Sequence, residues 1–168
     1  SPYGFQKLFS ERCGLLIARR FGFTFVALRF FNIYGPRQNA DSPYAAVIPK
    51  FTEALLSGRP PEVFGDGNQT RDFVYISDAL NALMLAGSRG QSGVFNVASG
   101  VRTSVLDLAR ALVSMIDGPE PVYAPPRPGD IRHSWADISL IRERLGYEPS
   151  CPLDAGLVRY VEWFRARV

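Results

Sequence analysis

Tyr3 and Lys7 stand four residues apart in the run SerProTyrGlyPheGlnLys. On a helix this spacing places both side chains on one face, one turn apart, so that both can reach one ligand. A lysine ammonium beside a phenol favours the phenolate and lowers the tyrosine pKa toward a pH at which it exchanges a proton with a substrate hydroxyl. By itself the pair is a weak signal, because helices carry Tyr and Lys at this spacing by chance. The surrounding segment reads as a helix. Ser1 suits an N-cap and Pro2 the first helical position, and Phe5, Leu8, Phe9, Leu15, Leu16 and Ile17 recur at spacings of three and four up to Gly22.

The elements beyond that helix alternate. Residues 24–31, β-branched and aromatic, predict a buried strand after Gly22. Residues 45–57 predict a helix closed by Gly58 and broken by Pro60 and Pro61, followed by a short strand around Glu62–Gly65 and a GlyAspGlyAsn turn. A strand is expected over 72–76, a helix capped by Ser77 and Asp78 to about Ser88, and a strand over 93–98. Ser104 with Asp107 three residues later opens a helix to about Ile116. A strand at 121–124, a Pro/Gly loop at 125–130, a helix from Asp137 to Gly146 and an amphipathic helix from Pro152 complete the chain. No linker interrupts this order, so residues 1–168 are expected to form a single compact α/β unit.

Composition agrees, since 168 residues at 46% hydrophobic content suffice for a real core. The formal charge of +3, from 19 basic and 16 acidic residues, is scattered without a block. It suits anionic small molecules and gives no support to nucleic acid as a partner. Cys13 and Cys151 have no metal or redox spacing and read as idle thiols in a reducing compartment, with no metal site implied. The chain carries no signal peptide and no apolar run of membrane-spanning length, so the expectation is a cytoplasmic protein with no membrane partner.

Five further runs then follow Tyr3 and Lys7 in a fixed order. They are LeuArgPhePheAsnIleTyrGlyProArgGln at 28–38, AlaValIlePro at 46–49, GlyAspGlyAsnGlnThrArgAspPheValTyrIleSerAsp at 65–78, PheAsnValAlaSerGly at 95–100 and ArgProGlyAspIleArgHisSerTrpAlaAsp at 127–137. In this order they resemble the carboxy-terminal half of an extended short-chain dehydrogenase/reductase of the nucleotide-sugar 4-epimerase type. The resemblance implies an α/β fold made of the last strands of a parallel Rossmann-type sheet and a small substrate-binding α/β part, without the amino-terminal dinucleotide-binding half.

The resemblance also implies roles. Tyr3 would be the acid/base at the sugar hydroxyl, Lys7 would hold the nicotinamide ribose of NAD, and Phe31 would touch the same cofactor. Asn32 would contact the diphosphate or sugar, and Phe73 would pack beside the base. Arg71 and Arg127 would clasp the diphosphate, a task to which a planar guanidinium is suited, unless each is spent on Asp72 or Asp130. Asp130 would serve as ribose or arginine partner. His133 reads as loop packing, and Gly65, Gly67, Gly100 and Gly129 as turns. Ser134 is small where relatives that accept only plain hexoses are bulky, and Ala46 replaces an amide side chain, so the sugar pocket looks open to N-acetylhexosamines. The motifs resemble UDP-glucose and UDP-N-acetylglucosamine 4-epimerases more than dTDP-glucose 4,6-dehydratases. The implied reaction removes hydride from sugar C4 to NAD and returns it to the other face.

One departure weighs against activity. The chain has no GxxGxxG turn opening a βαβ unit and no acidic residue beyond such a turn to grip the adenosine ribose. The expectation is therefore a chain that does not bind NAD alone and is inactive in isolation unless a partner supplies the cofactor half. The missing strands would also expose one edge and the apolar face of the strand at 24–31, so self-association into a homo-oligomer is expected. The alternatives are a non-enzymatic UDP-sugar-binding module or a remnant without function.

Overall fold

A 20-residue helix, α1 (Pro2–Phe21), leads the chain, with Pro2 in its first position. The computed structural model describes residues 2–38 and 46–167, so the expected Ser1 cap lies outside the described residues. Gly22 ends α1 at a φ of 72°, a backbone that a residue with a side chain adopts only under strain. Of the residues in α1 only Ala18 is buried, while Phe5 and Phe21 are 73% and 74% exposed.

Strands β1 (Val26–Phe30) and β2 (Asn32–Tyr34) follow, then helix α2 (Val47–Leu56). Ala45, the expected first residue of that helix, lies outside the described residues. Strands β3 (Glu62–Phe64), β4 (Thr70–Arg71) and β5 (Phe73–Tyr75) lead to α3 (Ile76–Ser88). Then come β6 (Gly93–Val97), β7 (Thr103–Ser104), α4 (Val105–Ile116), β8 (Val122–Ala124), α5 (Ser139–Leu145) and α6 (Leu153–Arg165). Three strand pairs are parallel, β1 with β6, β2 with β5 and β3 with β8, and β4 pairs antiparallel with β7. This is the expected α/β class with parallel pairing across helical crossovers.

Two apolar clusters hold these layers together. Faces of α2, α4 and α6 meet β2, β3 and β5 around Tyr34, Phe51, Leu108, Leu112 and Leu157. A second cluster joins β6 to α3 and α5 around Phe95, Val97, Ile141 and Tyr147. Gly156 lies where α6 crosses β2, and a Cβ there would overlap the Tyr34 hydroxyl, which donates to Leu153 O at 3.1 Å. Among the described residues no helix is long and apolar enough to cross a membrane.

Several local readings need correction. The strand read over 24–31 is shorter and is not buried, because β1 has β6 on one side and no strand on the other among the described residues, leaving Phe30 40% exposed. Ser77 does not cap α3. Tyr75 is the N-cap and provides no side-chain bond, while Asp78, inside the first turn, is buried and accepts hydrogen bonds from Ser150 N, Ser150 Oγ and Cys151 N. Its carboxylate therefore anchors the lead into α6 and leaves its own helix uncapped. Asp137 falls one residue short of the N-cap Ile138, although its carboxylate accepts from Ser139 N at 2.8 Å. Ser104 does cap α4, accepting from Asp107 N at 3.0 Å.

Candidate functional site

The site begins with two registers. In the β2–β5 pair Asn32 lies opposite Phe73, and in the β3–β8 pair Phe64 lies opposite Ala124. Helix α2 presents Val47, Lys50, Phe51 and Ala54 on one face, as spacings of three and four require. Between this face and the strands opens a cavity of about 830 Å³. Of the residues expected to bind substrate, Asn32, Ala46, Arg71, Phe73, Arg127 and Asp130 all line it. They come from four separate stretches of chain, and only the fold brings them together.

Arg71 is fixed from three sides. Its guanidinium donates to Thr70 O at 2.9 Å, to Ile131 O at 2.6 Å and to Asp130 Oδ1 at 2.6 Å. The ion pair left open in the sequence thus forms with Asp130 and not Asp72, and it ties the 125–130 loop to β4. Arg127 makes no ion pair among the described residues, and its guanidinium carbon lies 3.6 Å from the centroid of the Phe64 ring. Asn32 donates through Nδ2 to Asp72 O at 3.1 Å.

Asp72 itself is fully buried. Its Oδ1 accepts from Ser99 N and Ser99 Oγ, both at 2.7 Å, and its Oδ2 from Gly100 N at 3.1 Å and Ala136 N at 3.4 Å. One carboxylate therefore locks the turn after β6 and the segment before α5 against β4 and β5. Its neighbours in sequence, Arg71 and Phe73, are both cavity residues.

A smaller cavity of about 520 Å³ adjoins the first, and Phe64, Gln69, Arg127 and Asp130 line both. At its outer edge Arg132 forms a two-pronged ion pair with Asp66, at 2.6 and 2.7 Å, and these bonds hold the Asp66 carboxyl well below the usual carboxylate range. His133 is loop packing, as expected, with Nδ1 3.0 Å from Thr70 Oγ1.

Four expected site residues stand outside the cavities. Tyr3 and Lys7 share a face of α1, with the Lys7 ammonium 5.3 Å from the Tyr3 ring centroid, and Tyr3 is 69% exposed. Phe31 packs partly against the second apolar cluster. Ser134 is tied to β4 through its backbone, donating to Thr70 O at 3.0 Å. Conversely, Phe64, Gln69, Lys50 and Arg59 line the main cavity without having been singled out. Gln69 lay inside the 65–78 run and Phe64 immediately before it, but nothing in their spacing marked them as lining. Cys13 and Cys151 are free thiols, and burial pushes the Cys151 thiol up.

Gly87, Gly90 and Gly93 have three-residue spacing, yet they lead from α3 into β6, the reverse of the strand–turn–helix order whose helix N-terminus takes a pyrophosphate.

The profile of the "NAD dependent epimerase/dehydratase family" matches residues 1–98. Among curated proteins, UDP-glucose 4-epimerase of Mycolicibacterium smegmatis is 43% identical over 136 residues, which is 80% of this chain and 43% of that protein. Among solved structures, UDP-glucose 4-epimerase of Thermotoga maritima with UDP-glucose superposes with a TM-score of 0.95 at 41% identity, covering 99% of this chain and 54% of that one. UDP-N-acetylglucosamine 4-epimerase of Methanobrevibacter ruminantium, in complex with UDP-N-acetylmuramic acid, also gives 0.95, at 38% identity, over 100% of this chain and 55% of that one. The chain spans about half the length of the relatives it matches. Matched by the family profile over more than half of its length, the chain belongs to the NAD-dependent epimerase/dehydratase family.

Proposed function

We propose that these residues form the nucleotide-sugar-binding half of a 4-epimerase acting on a UDP-hexose or UDP-N-acetylhexosamine. The observation that carries this reading is the convergence of Asn32, Arg71, Phe73, Arg127 and Asp130 on one cavity of about 830 Å³. That volume falls within the range of small-ligand sites and admits a nucleoside diphosphate bearing a sugar. Arg71, already oriented by Asp130, meets the diphosphate with a preset donor fork, and Arg127 closes on it from the 125–130 loop. Small Ala46 leaves the cavity wall low and removes bulk that would exclude an N-acetyl substituent.

On this reading Tyr3 exchanges a proton with the sugar hydroxyl, with Lys7 beside it on the same face of α1. A nicotinamide held by a separate cofactor half would supply the hydride acceptor. No pyrophosphate-binding turn accompanies them here, so these 168 residues alone bind the nucleotide sugar and do not turn it over. A second reading, a nucleotide-sugar-binding module without chemistry, is favoured by one observation: neither Tyr3 nor Lys7 lines the cavity.

The test is calorimetric titration with UDP, UDP-glucose, UDP-N-acetylglucosamine and NAD in parallel, repeated with Arg71→Ala. Saturable binding of the UDP ligands, weakened roughly tenfold or more in the variant and with no heat from NAD, is expected. Silence from every UDP ligand refutes the proposal.

A further inference from the structure

The contact between Arg127 and Phe64 has a property that the proposed binding role does not require. Both side chains line both cavities, so the stacked pair forms part of the wall between them. The two partners differ in freedom. Phe64 is the last residue of β3, its carbonyl accepts from Gln69 Nε2 at 2.9 Å, and the following Gly65 N donates to Ala124 O at 2.9 Å. Arg127 sits on an irregular loop of Pro125, Pro126, Pro128 and Gly129, with Gly129 at a φ of 78° and no ion pair to the Arg127 guanidinium among the described residues. The guanidinium rests 3.6 Å from the ring centroid, well inside cation–π range.

We propose that Phe64 is a positioning residue that latches Arg127 onto the wall between the two cavities, and that an incoming diphosphate must draw the guanidinium off the ring before it can be clasped. Resting on the reading of Arg127 as a diphosphate ligand, the proposal adds a ligand-free state of that arginine and assigns the residue that sets its population. A ligand that needs the released arginine binds more weakly by the fraction of molecules in which it is free. The latch thus discriminates against small free anions, which bring no group to lie on the vacated ring. Arg71 has no such latch, because its partner Asp130 aims it at the cavity and does not withdraw it.

The test is a double-mutant cycle on the 168-residue chain with inorganic pyrophosphate as the probe, read by calorimetry. Phe64→Leu removes the ring face while keeping an apolar side chain. For a cation–π contact of ordinary exposed strength, pyrophosphate then binds roughly three- to sixfold tighter than to the unaltered chain. Phe64→Trp, with the stronger ring face, weakens binding. In an Arg127→Ala background, itself weaker than the unaltered chain, Phe64→Leu has no effect. Coincident thermal melts exclude a folding artefact, and the Trp variant keeps the test decisive where the Leu variant melts early. Unchanged or weaker pyrophosphate binding in Phe64→Leu, with Arg127→Ala still impaired, overturns the latch and leaves the binding site standing. An Arg127→Ala chain that binds as well as the unaltered one overturns both.

Discussion

Replacing Asp72 by Asn changes one oxygen for an amide nitrogen in a fully buried position. The Asn carbonyl can take over from Oδ1 and keep Ser99 N and Ser99 Oγ, now as neutral bonds. Its amide then faces Gly100 N and Ala136 N, so that a donor meets two donors. Each buried N–H left unpaired costs about 1–3 kcal/mol, and each of the two retained bonds weakens without the charge. Relief of the carboxylate's desolvation offsets part of this, leaving a net loss of about 3 kcal/mol. For a chain of this length that corresponds to a fall in Tm of roughly 6–12 °C. Urea denaturation at neutral pH, compared with thermal melts, measures it, and Ser99→Ala, which loses the Oγ bond to Asp72 and the one accepted from Val101 N, should cost about 1–2 kcal/mol. A melting temperature within about 2 °C of the unaltered chain refutes the reasoning, since the clasp would then contribute nothing beyond what water supplies. Because Arg71 and Phe73 flank Asp72, UDP binding should weaken in the same variant at temperatures where it remains folded.

Two further outcomes follow from buried groups. Tyr34, Tyr147 and Tyr160 are buried, and desolvation raises all three, Tyr160 to about 12. The folded chain keeps these protons while the unfolded chain loses them above about pH 10, so stability should fall from pH 10 upward, by at most about 1.4 kcal/mol per pH unit for each tyrosine. Urea midpoints at pH 9, 10 and 11 check this. Among the described residues the Tyr160 hydroxyl has no hydrogen-bond partner, so Tyr160→Phe should be neutral or stabilising at pH 7 and shallower in the alkaline limb, and an unchanged limb would contradict the assignment. Gly156→Ala should cost about 3 kcal/mol by driving a methyl group into the Tyr34 hydroxyl, whereas a helical glycine facing open space, Gly87, should accept Ala with no loss. Equal melting temperatures for the two alanine variants would refute the close approach of α6 to β2.

Local chemistry made much of this molecule legible in advance. Pro2 at the start of α1, Ser104 with Asp107 at the start of α4 and Gly146 after α5 are each dictated by backbone groups within a few residues, and the structure places them as read. The readings that failed involve partners far away. Asp78 looked like a helix cap because its sequence neighbours allow one, but it bonds to residues 150 and 151 across the fold. The strand at 24–31 reads as buried from its apolar composition, but burial depends on what lies beside it, and only the expectation of a bared edge matches β1.

The candidate site divides the same way. Order and identity of the motifs, from Tyr3 to the run at 127–137, were enough to identify the family and to name Asn32, Arg71, Phe73, Arg127 and Asp130 as a set. Only the tertiary structure decided that Arg71 takes Asp130 as its partner, that Asp72 turns inward to clasp Ser99 and Gly100, and that Arg127 lies on the ring of Phe64. Side-chain type and local spacing reflect interactions within about a turn of chain. Which acceptor an arginine finds 59 residues away is settled by the packing of whole elements, a long-range geometry that no short stretch of sequence encodes.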